Sequence, residues 1–226
     1  VKISVIILAW NEEKNIGKLL ESIQKQTLMP DEVIVVNNNS TDNTVKIAKE
    51  FSFVKVINQS KVQGMVSTRD YGFNHSTGDV LVKIDADTRL PSNWIYKLNK
   101  IYKSNKNIGG VSSMISYGRL SYLFVLAYVF MIYMITKKVV FLGPAYSLKK
   151  EVWEKIKDQT VKNDIVHEDI DIALNVGEYT KVKFGYSLIV KTSKRRIVLH
   201  PIKFFITDYP VRVYKTITLF NKNNLI

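Results

Sequence analysis

The sequence predicts an α/β fold in which helices flank a mostly parallel central sheet, followed by a short basic and aromatic segment. Three observations predict it. Short apolar runs rich in β-branched residues recur as "ISVIIL" (3–8), "EVIVV" (32–36), "VKVI" (54–57) and "DVLVKI" (79–84). Stretches with apolar residues at helical spacing separate them, which is the pattern of parallel strands joined by right-handed crossovers. At 226 residues with 46% hydrophobic content, the chain can bury a substantial core in one large domain.

The run 3–8 is nearly all apolar, as expected for a strand covered on both faces. Asn11 is expected to cap a helix with Glu12 and Glu13 in its first turn and Ile16, Leu19, Leu20 and Ile23 on its apolar face. Pro30 and Asp31 break that period before the second strand. A polar turn, "NNNSTDNT" (37–44), then leads into a helix carrying Val45, Ile47, Ala48 and Phe51, and the third strand follows. Another helix, at about 65–75, passes through Gly78 into the fourth strand, which ends at Asp85 and Asp87. In open parallel sheets, ligands bind at the carboxyl ends of the strands, so the first two loops and this acidic pair converge on one edge.

The second half is less regular. "LSYLFVLAYVFMIYMIT" (120–136) carries no charge and would be about 26 Å long as a helix, short of a bilayer core of about 30 Å. A single crossing would put Asp85 and Asp87 on the opposite side of a membrane from the later "HEDID" (167–171), so a buried or interfacial helix is expected instead. "KVKFGYSLIV" (181–190) reads as one or two strands. The domain is expected to span 1–194. Residues 195–226 form a basic, aromatic segment suited to a membrane interface.

Thirty-three Lys and Arg against twenty Asp and Glu give a formal charge of +13, which favours a polyanionic partner such as an anionic membrane face or a phosphorylated substrate. The absence of cysteine excludes disulfides, zinc–thiolate sites and cysteine nucleophiles, and agrees with a reducing compartment. The chain opens at Val1 in a strand-like run, so no signal peptide is expected. A nucleic-acid binder would explain the charge. No aromatic RNA-reading strand or basic recognition helix accompanies it, however, and acids at the strand ends would repel a phosphate backbone. A nucleotidyltransferase would want a Gly-rich basic first loop where "AWNEEKN" is acidic.

Two carboxylates at i and i+2 beyond a buried strand can hold one Mg2+ or Mn2+ that also binds substrate phosphate. In order, "SVIILAWNEEKNIGKLLESIQKQ", "EVIVVNNNSTDNT", "GMVSTRDYGFNHSTGDVLVKIDADT", "GPAYSLKKEVWEKI" and "HEDIDIAL" resemble the family 2 glycosyltransferases of the GT-A fold, over roughly residues 2–180. The resemblance implies a nucleotide-sugar donor, a divalent metal (Mn2+ or Mg2+) and inverting transfer to a glycan hydroxyl or lipid-linked acceptor.

Carried over by position, Ala9, Trp10 and Glu12 would wall the nucleotide base, and Arg69 would help bind the donor, although "TRDYG" has Asp70 where the family usually has Asn. Asp85 would contact ribose or metal, and Asp87 would be the direct metal ligand. Gly143 would form the acceptor-side loop beside Glu168, and Asp169 would be the catalytic base. Asn37 and Asn38 replace the usual base-binding aspartates, leaving uridine, guanosine and deoxythymidine donors open, while Asn37–Asn39 also suit an Asx-type turn capping the next helix through Ser40 or Thr41. These departures admit a noncatalytic relative, against which Asp85, Asp87, Glu168 and Asp169 all stand. His200 lies where some members complete the metal shell, but a His before Pro is also an ordinary loop residue. Arg195 and Arg196 suit a diphosphate or lipid phosphate, and His167 suits a supporting role. The charge, the apolar stretch and the tail together suggest peripheral attachment to the cytoplasmic face of a membrane.

Overall fold

The computed structural model describes residues 1–118, 121–195 and 208–223. Its elements run β1 (Ile3–Ala9), α1 (Ile16–Gln24), β2 (Glu32–Asn37), α2 (Thr44–Lys49), β3 (Val54–Asn58), α3 (Met65–His75), β4 (Val80–Asp85), α4 (Trp94–Ser104) and β5 (Ile108–Ser116). They continue with α5 (Ser121–Thr136), β6 (Ala145–Lys149), α6 (Lys150–Ile156), α7 (Glu168–Tyr179), β7 (Lys181–Lys191) and α8 (Asp208–Asn223). One sheet of seven strands has the order β3-β2-β1-β4-β6-β5-β7. The first four pair in parallel, β6 runs antiparallel to both its neighbours, and β5 pairs in parallel with β7.

The strands lack alternation because the sheet is covered on both sides. Val5 and Ile7 of β1 face a core built with α1, α2 and α4, while Ile6 faces a second core built with α3, α6, α7 and α8. Each such aliphatic side chain contributes roughly 1.5–3 kcal/mol by leaving water. Register then sets the working edge: Ala9 lies beside Asn37, and Leu8 beside Asp85.

One expected cap is replaced. Asn11 does not start α1; it adopts a left-handed conformation (φ 52°), and its Oδ1 accepts the Thr41 amide at 2.8 Å. Its side chain thus joins the first loop to the second, and α1 begins only at Ile16. Glu12 and Glu13 continue that seam, their amides donating to Thr44 Oγ1 and Asp42 Oδ2. The second loop does contain an Asx-type turn, with the Ser40 amide donating to Asn37 Oδ1, but Asp42 rather than Ser40 or Thr41 receives the Thr44 amide where α2 begins.

The apolar stretch forms α5, at about 24 Å. Among the described residues no helix is long and apolar enough to cross a membrane. Only Val125 and Ile132 of α5 are buried, Val125 against a small cluster that includes Met114, Leu142 and Phe184, and Ile132 in the second core. Leu123, Phe124, Phe130 and Ile135 stand largely exposed. Part of the basic tail, α8, packs on the domain instead of extending from it: Val213 and Phe220 enter the second core, and Thr216 Oγ1 accepts the His167 amide at 2.9 Å.

Candidate active site

The carboxyl edge of the sheet opens into one large cleft of about 1710 Å³, bounded by the first loops, the end of β4, the segment before α7, and helices α5 and α8. Ala9, Trp10, Glu12 and Asn38 line one end. Trp10 is 56% exposed, which leaves much of its indole free to stack on a ligand. Asn38 is buried. Its Nδ2 donates to the Gly64 carbonyl at 3.0 Å, which fixes the amide orientation and leaves Oδ1 without a donor among the described residues. Gly64 itself, at φ +154°, turns into α3, whose first amides donate to Asp164. Asn37 does not line the cleft, because its amide bridges Asn58 and Ser40.

Beyond β4, Asp87 is half-buried, and Thr192 donates to it at 3.2 Å. Burial pushes its carboxyl above the usual range, and the charges of Asp85 and Glu12 push it further. Glu12 in turn holds Arg195 at 2.6 Å. A half-buried carboxylate destabilised by two neighbouring acids suits a divalent cation, which would relieve that repulsion; Asp87 and Asp85 could hold it. Among the described residues no group of three or more potential ligands is already gathered. His200 and Arg196 lie outside the described residues.

A buried ionic network lies beneath this edge. Lys83, fully enclosed in β4, reaches Asp85 at 2.6 Å, the Gly143 carbonyl at 2.6 Å and Glu168 at 3.2 Å. Arg69, equally enclosed, holds Glu168 at 2.9 Å and Asp70 at 2.6 Å, and Tyr146 donates to Glu168 at 2.8 Å. Burial opposes ionisation of Glu168, but Lys83 and Arg69 outweigh it and hold the carboxyl well below its usual range. Arg69 therefore supports Glu168 from below and does not line the cleft. Sequence reasoning missed Lys83 and Tyr146; the available signal was a lysine interrupting a doubly covered strand, "VLVKI".

Asp169 lines the cleft next to this network. Among the described residues no Lys or Arg forms an ion pair with it; His167 Nδ1 stands 3.7 Å away. Burial and the Glu168 charge push its carboxyl up to about 7. Gly143 makes room for it, since a Cβ there would sit 3.2 Å from Asp169 Oδ2. Asp171 points elsewhere, accepting the Val161 amide at 2.9 Å. The cleft thus presents an unpaired buried acceptor, a strained acidic pair and a carboxylate poised near neutrality.

A three-layer sheet with an Asp-x-Asp strand end and a buried carboxylate above it defines the GT-A class of fold. The chain belongs to glycosyl transferase family 2, whose family model matches residues 4–169. A dolichol-phosphate mannosyltransferase of Pyrococcus furiosus is 35% identical over 123 residues, which are 53% of this chain and 35% of that protein. The match spans only about a third of that relative's length. Among solved structures, the Pyrobaculum calidifontis mannosyltransferase PcManGT in complex with GDP-Man and Mn2+ superposes with a TM-score of 0.66 at 19% identity, over 84% of this chain and 56% of that one. Glucosyl-3-phosphoglycerate synthase of Mycobacterium tuberculosis in complex with Mn2+, UDP and phosphoglyceric acid gives 0.67 at 18%, over 98% and 78%. At these identities the two structures establish the fold.

Proposed function

We propose that this domain transfers a sugar from a nucleoside-diphosphate donor to a hydroxyl or lipid-phosphate acceptor, with inversion, at the cytoplasmic face of a membrane. The observation that carries the reading is that Asp85, Asp87 and Asp169 line one cleft, and that Asp169 faces it with no Lys or Arg partner among the described residues. The acceptor oxygen attacks the anomeric carbon, the bond from that carbon to the diphosphate oxygen breaks, and the acceptor proton passes to Asp169. Asn38 Oδ1 accepts an N–H of the nucleobase, and Trp10 stacks on it. Arg195, anchored on Glu12, offers positive charge to the diphosphate. A divalent cation held by Asp87 and Asp85 would offset charge on the departing diphosphate. The relative named as a dolichol-phosphate mannosyltransferase supports that acceptor class. The exposed apolar α5 and the net charge of +13 support attachment to an anionic leaflet.

Thermal unfolding with uridine, guanosine and deoxythymidine diphosphates tests the donor site, with inorganic diphosphate as the control that lacks a base. One nucleotide with Mn2+ should raise Tm well beyond diphosphate with Mn2+, and its sugar conjugates should hydrolyse slowly in a metal-dependent way. If no nucleotide outperforms diphosphate, the reading fails.

A further inference from the structure

We infer that the arm of the cleft between α5 and α8 holds the chain of a long-chain lipid phosphate, and that Arg212 binds its phosphate. The inference rests on the acceptor reading above and assigns it a place. At about 1710 Å³ the cleft exceeds the roughly 300–1,000 Å³ of ordinary small-molecule sites, and its lining extends from the acids to α5 and α8. One wall of the arm is Phe124, Met131 and Ile135 of α5; the other is Val213 and Ile217 of α8. The helix α5 is apolar on its remaining sides as well, with Leu123 and Phe130 exposed by 68% and 63%. A lipid chain can therefore pass from a bilayer on the outer side of α5 into the groove without crossing a polar barrier.

Arg212 supplies the second, independent observation. One Nη donates to the Val166 carbonyl at 2.6 Å, while Nε is buried with no acceptor among the described residues, and the side chain lines the cleft. A buried guanidinium donor left unmade is costly, and the ligand that best satisfies it is an anion with several oxygens. Its bond to Val166 fixes the guanidinium beside the segment that leads into Asp169, and Thr216 of α8 ties the same segment through the His167 amide. A phosphate on Arg212 thus lies at the reacting end of the groove, with its chain running along α5 and α8. A neutral lipid would leave Nε unpaired.

The test is direct binding to the intact chain, without nucleotide or metal, using farnesyl phosphate below its micellar concentration, farnesol and inorganic phosphate. Farnesyl phosphate should bind at least about 10-fold more tightly than either of the others. Arg212→Gln should reduce it to the farnesol level, whereas Met131→Asp, on an exposed part of the groove, should weaken farnesyl phosphate and farnesol alike and leave inorganic phosphate unchanged. If Arg212→Gln does not fold, Arg212→Lys keeps the charge and loses the guanidinium fork, so the preference for phosphate over alcohol should shrink. Equal binding of farnesyl phosphate and inorganic phosphate, or an undiminished phosphate preference in a folded Arg212 variant, overturns the inference. Because no donor is present, that failure is separate from failure of the nucleotide panel, which leaves out the lipid.

Discussion

Replacing Asp169 with Asn should make the protein more stable and much less active, and both effects follow from one carboxylate. Its pKa rises from 3.8 in the unfolded chain to about 7 in the fold, through burial and the neighbouring Glu168 charge. The native state therefore binds the proton more tightly than the unfolded state, so stability is fully present below about pH 4 and is lost as pH rises through 7. Three units correspond to roughly 4 kcal/mol at pH 8. About half of that, ~2 kcal/mol, is the gain expected from Asn, whose amide also needs partners in a buried site. For a chain of this size the gain raises Tm by roughly 4–8 °C at pH 8 and by almost nothing at pH 4. Donor hydrolysis, with water as the hydroxyl acceptor, should fall about 100-fold or more while metal-dependent nucleotide binding persists. Against farnesyl phosphate above pH 8, where the acceptor oxygen is already ionised, the loss should be smaller. Differential scanning calorimetry of the ligand-free protein across pH, beside a hydrolysis assay, measures both arms. A variant that hydrolyses donor at the wild-type rate, or that shows the wild-type fall of Tm between pH 4 and 8, refutes the argument.

Asp87→Asn should weaken Mn2+-dependent nucleotide binding by at least the roughly 10-fold that losing a mere outer partner of a metal costs, read as a lost Tm shift; full activity in excess chelator would contradict it. Glu168→Gln removes the charge that Lys83 and Arg69 share, leaving them only Asp85 and Asp70, and should cost up to about 3–5 kcal/mol, measured by denaturant unfolding. Anionic liposomes should carry the wild-type protein upward in flotation at low salt and release part of it as salt rises, since screening acts over about 8 Å at physiological ionic strength. Absence of the folded protein from the liposome fraction at low salt would count against attachment.

The first four strands were legible because each is a short apolar run whose covering helices follow it directly in sequence. The acidic strand end was legible too, since Asp85 and Asp87 stand where a buried strand has just run out. Other features depend on partners far away in sequence. Asn11 carries a cap residue's chemistry, yet it spends its side chain on Thr41 across a second loop. The short strand β6 inserts antiparallel between β4 and β5, a placement that its five residues do not encode. Lys83 looked like an interruption of its strand, because one of its two counter-charges, Glu168, comes from a helix in the other half of the chain. The helix α8, expected in an interfacial tail, packs inward through Val213 and Phe220, and only that packing brings Arg212 to the cleft.

The acidic start of α7 gives the sharpest choice between a structural and a chemical role. Acids in a helix's first turn are favoured by the helix dipole alone, and Glu168, Asp169 and Asp171 all occupy that turn. A dipole effect, however, asks only for charge near the helix end and would serve equally well with the three side chains in solvent. All three are buried instead, and each has a different neighbourhood. Successive residues on a helix diverge by about 100°, so Glu168 turns under the sheet edge to Lys83, Arg69 and Tyr146, while Asp169 turns to Gly143 and the cleft. Asp171 turns back to the Val161 amide. The arrangement couples the first two. Because Lys83 and Arg69 keep Glu168 ionised, its charge stands permanently beside Asp169 and raises the proton affinity of that cleft-lining carboxylate. Glu168→Gln should therefore move the pH dependence of donor hydrolysis to lower pH, provided the variant folds. The buried network then has two jobs, holding β4, α3 and α7 in register and setting the pKa of the proposed base, and a shift of the rate profile without any change in nucleotide binding separates the second from the first.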